Sequence, residues 1–118
     1  MKLNQKAFTL IELMIVIVII GILASIALGM TLKLLERANI STLQSDLSMA
    51  YKAAVAFHTD HPGEEVKLED LKGNGYNQSE KVNIIVINGA LDGLNITATH
   101  PGVIGVYQVD KTGNITKQ

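Results

Sequence analysis

From Leu13 to Leu32 the chain runs for 20 residues without a charged side chain. At ~1.5 Å of helical rise per residue such a run covers roughly 30 Å, the hydrocarbon thickness of a bilayer. No small soluble domain buries so long an apolar segment on every side, so the run demands either lipid or other protein around it. In 118 residues this leaves room for one embedded helix and one modest globular lobe. A cleavable secretory signal is the competing reading, because Lys2 and Lys6 form a basic leader and Ala24-Ser25-Ile26-Ala27 offers small residues. Its apolar core is shorter, however, about 7 to 15 residues. Lys2 and Lys6 also favour a cytoplasmic amino end, with the chain beyond Leu32 outside the cytoplasm; Lys33 and Arg37 on the far side weaken that asymmetry.

The chain contains no cysteine, so no disulfide and no thiolate metal site can form, and the lobe must hold by packing alone. Its formal net charge is −1; without Lys2 and Lys6 it would carry 8 basic against 11 acidic side chains, or −3. That balance makes nucleic acid an unlikely partner, since such binding rests on a basic surface.

Past the apolar run, Ile40, Leu43, Leu47, Ala50, Ala54 and Phe57 recur at alternating spacings of three and four, which predicts that the helix continues with one apolar face. Asp46 and Lys52 fall outside this stripe. Pro62 and Gly63 in "HTDHPGEE" end the pattern. A connecting region follows, with a helical turn at "LEDLK", a turn at "GNGYN" and solvated acids at Glu64, Glu65, Glu69 and Asp70. The segments "VNIIVIN", "LNITATH" and "GVIGVYQVD" then read as antiparallel strands, with "ITK" as a short fourth after the turn "DKTGN". One face of that sheet needs cover, and the helix stripe supplies it. The expected fold class is α+β: a long amino-terminal helix packed on a small carboxy-terminal antiparallel sheet.

Glu12 stands at the edge of the apolar run. A carboxylate within a bilayer costs at least about 2.5 to 3.5 kcal/mol, so a functional role is the natural expectation. The simpler reading keeps it hydrated near the membrane surface, aided by the positive end of the helix dipole. The segment "KAFTLIELMIVIVIIGILASIA", with a basic leader, Phe8, and Glu12 at the fifth position counted from it, resembles the amino-terminal signature of type IV pilins and the related pseudopilins. The strong match spans roughly residues 1 to 30.

The resemblance implies the following. A prepilin peptidase cuts between Ala7 and Phe8, and the new amino terminus at Phe8 is N-methylated. Glu12 pairs with that amine on a neighbouring subunit as subunits leave the membrane. The chain then divides into a leader at 1–7, an assembly helix at 8–32 and a lobe at 33–118, the lobe comprising helix 33–60, connecting region 61–81 and sheet 82–118. Burying the two charges together offsets much of the cost of burying either alone. The expected partners are further copies in a helical filament, the peptidase, the pilus assembly machinery and, before assembly, the inner membrane. The expected final location is an extracellular pilus.

Two departures stand out. The family usually has Gly before the cleavage point, where this chain has Ala7, and many members have Pro near Gly29, where this chain has none. Gly21 and Gly29 each weaken a helix by about 1 kcal/mol relative to Ala, which allows local melting; equally, they permit close helix packing.

Other constellations carry less. "HTDH" with His100 lacks a matched ligand pattern, and Asp110 and Asn114 supply too few donors for the roughly six to eight oxygens calcium takes. No metal or cofactor is expected. No phosphate loop and no nucleophile–base pair can be assembled, so no enzyme is expected. The N-x-S/T patterns at Asn39, Asn77, Asn95 and Asn114 carry little weight. The aromatic residues Phe8, Tyr51, Phe57, Tyr76 and Tyr107 are too widely spaced for a stacked conduction path. The leading expectation is a structural subunit of a type IV pilus. The alternatives are a pseudopilin of a type II secretion system and a membrane-anchored binding module that never polymerises.

Overall fold

A computed structural model describes residues 9–118. Helix α1 runs unbroken from Leu10 to Asp60. It contains no proline, and it stops where His61, Pro62 and Gly63 turn the chain, with Gly63 at a φ of 88°. The chain forms two compact units, one ending at Leu35 and the other running from Glu36 to Gln118.

In the first unit, the apolar side chains from Leu10 to Leu35 all stand exposed. The most apolar 18-residue stretch has a mean hydropathy of 2.9, and none of it is buried. The hydroxyls in this region turn inward on their own helix. Ser25 Oγ donates to the Gly21 carbonyl at 2.9 Å, and Thr31 Oγ1 donates to the Ala27 carbonyl at 2.8 Å. Such bonds remove the cost of bringing a free hydroxyl into hydrocarbon.

In the second unit, the predicted helix stripe faces the core. Leu43, Leu47, Ala50, Ala54 and Phe57 are buried, and Ile40 packs at the margin. Helix α2, Leu68–Gly73, occupies the "LEDLK" position, opened by Asp70 Oδ2 accepting from the Lys67 N–H at 3.0 Å. Four strands follow, β1 Asn83–Asn88, β2 Asn95–Thr99, β3 Tyr107–Val109 and β4 Ile115–Lys117, in sequential antiparallel order. Their registers align Ile84 with Ala98, Ala98 with Tyr107, Val86 with Ile96 and Ile96 with Val109. Those residues form the covered face and share one core with the helix stripe, while Ile85, Gln108 and Thr116 point the other way.

The sequence reading of "GVIGVYQVD" as one strand needs correction, because only Tyr107–Val109 pairs. Before it, the Val103 N–H donates to the His100 carbonyl at 3.0 Å and Gly105 takes a φ of 100°, so the chain turns where an extended strand was expected. The glycines break the ladder that β-branched Val103, Ile104 and Val106 would otherwise extend. A short 3-10 helix, Leu91–Gly93, lies between β1 and β2. Gly89 admits no side chain: the Val66 N–H donates to its carbonyl at 3.0 Å, and a β-carbon there would strike the Val66 carbonyl oxygen.

Leu47 is fully buried within this core. Leu47→Ala should lower unfolding free energy by about 2–5 kcal/mol, read as a reduced denaturant midpoint of the detergent-solubilised chain. The exposed Gln44→Ala should leave that midpoint nearly unchanged.

Candidate assembly site at the start of the helix

The first turn of α1 is closed by a reciprocal pair of hydrogen bonds. The Thr9 N–H donates to Glu12 Oε2 at 3.1 Å, and the Glu12 N–H donates to Thr9 Oγ1 at 3.2 Å. This is a capping box: two amides that lack helical partners are satisfied by side chains, and the carboxylate lies at the positive end of the helix dipole. Glu12 is exposed, and uncharged apolar surface follows it. Ile11, Met14, Ile15, Val18 and Ile19 line a shallow surface depression of about 300 Å³ on the same stretch. These five recur at helical spacing and form a continuous apolar face. A carboxylate with acceptor capacity to spare, held beside hydrocarbon surface, can receive a cation delivered together with an apolar partner.

Of the residues singled out in the sequence, Ala7 and Phe8 lie outside the described residues, as do Lys2 and Lys6. Gly21 and Gly29 both sit within the unbroken helix, with open space where a β-carbon would be. The "HTDH" residues serve local structure. His58 is buried edge-on against Phe57 at a centroid distance of 5.6 Å, and His61 stacks flat on the same ring at 4.7 Å. His100 Nδ1 accepts from the Gly102 N–H at 2.9 Å, which shapes the turn before β3. Asp110 Oδ1 accepts from the Thr112 N–H, the Thr112 hydroxyl and the Asn114 N–H at 2.9, 2.6 and 3.0 Å. These bonds hold its carboxyl below the usual carboxylate range, the Thr112 hydroxyl contributing most, and they make "DKTGN" a hairpin turn.

Asp46 overturns the sequence reading. It was expected outside the apolar stripe, yet it is fully buried. Three donors explain why a carboxylate is tolerated there: the Tyr76 hydroxyl at 3.0 Å, the Ser79 N–H at 2.9 Å and the Ser79 hydroxyl at 2.6 Å. The arrangement fastens the loop after α2 to α1. Burial pushes the Tyr76 phenol well above its ordinary value, and its hydrogen bond to Asp46 and that residue's charge add to the rise. A signal was available in the spacing, since Asp46 lies three residues after Leu43 and four before Ala50.

Residues 2–28, which include Glu12, match the Prokaryotic N-terminal methylation motif. Over its full extent the chain is similar to the type IV major fimbrial protein FimA of Dichelobacter nodosus, at 35% identity over 98% of this chain and 71% of that protein. The chain belongs to the type IV pilin family. Two further relatives bracket it. The competence protein ComGC of Bacillus subtilis (strain 168) is 33% identical over 67% of this pilin and 81% of its own length. The type IV major pilin protein PilA of Myxococcus xanthus (strain DK1622) is 36% identical over 62% of this pilin and 36% of its own length. As a family member, the chain has a structural rather than an enzymatic role.

Asp46→Ala should cost about 1–3 kcal/mol for each buried donor left without an acceptor, measured by denaturant unfolding. Because the Tyr76 phenol is held above its ordinary value of 10.0, its contribution to stability is complete below pH 10 and is lost as pH rises beyond it. Tyr76→Phe should therefore start less stable at neutral pH and show a shallower alkaline decline, read from melting temperatures across that range.

Proposed function

We propose that this pilin is the repeating subunit of a type IV pilus and polymerises through α1. The observation that carries the reading is the exposed, uncharged surface from Leu13 to Leu32 with one carboxylate, Glu12, at its start. In lipid that surface is at rest; in water it must be covered. Other copies of the same helix cover it without requiring any new kind of contact.

In this reading a prepilin peptidase cleaves between Ala7 and Phe8, and Phe8 is then N-methylated. The amino end faces the cytoplasm and the lobe lies outside the inner membrane before the subunit enters the extracellular fibre. The methylated amine of one subunit meets Glu12 of its neighbour. The carboxylate is suited to this exchange because its partner among the described residues is the exposed Thr9 amide at the start of its own helix. A charge pair formed away from water fixes register, since a subunit displaced along the fibre leaves both charges buried and unpaired. Gly21 and Gly29 give α1 its weakest helical positions, where packing into the fibre can be met by local unwinding.

A second reading rests on the ComGC relationship, in which this chain covers more of that protein than it does of PilA. A pseudopilin would use the same cleavage and the same Glu12 pair. It would differ in the length and abundance of the fibre.

Intact mass and amino-terminal sequencing of surface-sheared material should give a chain beginning at methylated Phe8. A chain beginning at Met1 and confined to the membrane would overturn the filament reading. Glu12→Ala should remain membrane-inserted yet give markedly less sheared fibre; an undiminished fibre yield would remove the proposed role of Glu12. A non-polymerising anchored module would be indifferent to that substitution.

A further inference from the structure

The lobe carries an apolar patch that its own core leaves uncovered. Ile85 and Ile87 on edge strand β1 and Leu91 in the following 3-10 turn are 48%, 61% and 53% exposed. Ile85 and Ile87 border a groove of about 390 Å³ between β1 and the segment Glu65–Leu68. Leu91 borders an adjoining hollow of about 270 Å³ with Glu64, Glu65 and Asp92, and Glu65 lines both. The patch therefore has an apolar floor and a rim of three carboxylates, with Lys67 as the one cation lining either groove. An uncovered apolar edge strand invites a partner, and an acidic rim selects a basic one.

Another part of the same sequence has the opposite character. Met30, Lys33, Leu34 and Arg37 lie at helical spacings of three, one and three, so they share one face of α1. All four are exposed. Glu36, also exposed, lies about 60° from Lys33 around the helix, at the edge of this face and on the side away from Leu34. The face is apolar at Met30 and Leu34 and basic at Lys33 and Arg37. Among the residues of α1 before the lobe core begins at Ile40, these are the only two cations.

We propose that the Ile85–Ile87–Leu91 patch docks the Met30–Lys33–Leu34–Arg37 face of a second copy of this chain, with Glu64, Glu65 and Asp92 receiving Lys33 and Arg37. The inference rests on the filament reading and adds to it a lobe-to-helix contact, separate from the pairing at Glu12. Leu34 and Met30 meet the isoleucines, and the two cations reach the rim on long apolar stems. In such a contact the charges set register and orientation, while the apolar floor supplies most of the attraction. High salt should accordingly loosen the contact without abolishing it.

The absence of native cysteine makes the test clean. Ile87→Cys and Leu34→Cys are placed together in one chain, and surface-sheared fibres are treated with a short bifunctional thiol crosslinker. The expected result is a ladder of covalent multimers from the double variant and monomer from each single variant. Fibres without a ladder would overturn the docking. A covalent dimer from Ile87→Cys alone would also overturn it, because that outcome means two β1 edges meet each other. Charge exchange provides an independent readout. Lys33→Glu with Arg37→Glu should lower fibre yield, and adding Glu64→Lys with Glu65→Lys to the same chain should restore it; failure to restore counts against the proposal. Should the unmodified chain give no fibres at all, the filament reading itself falls, and this contact with it.

Discussion

A single helix in this pilin has to satisfy two different surroundings. From Leu13 to Leu32 it is uncharged on every side and buries nothing; from Ile40 onward it is amphipathic and buries one stripe. Every other feature follows from that division. The lobe exists because the second half has a face to cover, and a sheet of four short strands is a small structure able to cover it. The first half is exposed throughout the described residues, so its environment must come from outside.

Much of this was legible in the residues. Apolar side chains at alternating intervals of three and four located the buried stripe, and β-branched runs between glycine-rich turns located the sheet. The carboxylate at Glu12 was conspicuous because everything after it for 20 residues is uncharged. Two features were misread for different physical reasons. "GVIGVYQVD" has strand composition throughout, but the turn held by His100 and the left-handed Gly105 delay pairing until Tyr107. Asp46 was set outside the apolar stripe. Its donors lie 30 and 33 residues away, at Tyr76 and Ser79, and no local pattern announces a partner so distant.

The lobe manages without disulfides by using polar side chains as fasteners at both ends of its sequence. Asp46 gathers the loop before β1 onto α1, and the Tyr51 hydroxyl donates to the Lys111 carbonyl at 3.3 Å in the β3–β4 hairpin. Gly113 of that hairpin lies flush with the Tyr51 ring, which a side chain would obstruct at 3.0 Å. The two fasteners lie five residues apart on one helix and restrain segments that are far apart in sequence. Each replaces part of what a covalent link would do.

The inward-turned hydroxyls of Ser25 and Thr31 carry one more consequence. Because each is already bonded to a carbonyl of its own helix, the apolar half of α1 presents the same hydrocarbon exterior to lipid and to a neighbouring protein. Neither hydroxyl needs a partner from its surroundings while the helix holds. Two polar side chains thus lie within an apolar surface without making it polar, and the surface from Leu13 to Leu32 is set by its hydrocarbon groups alone.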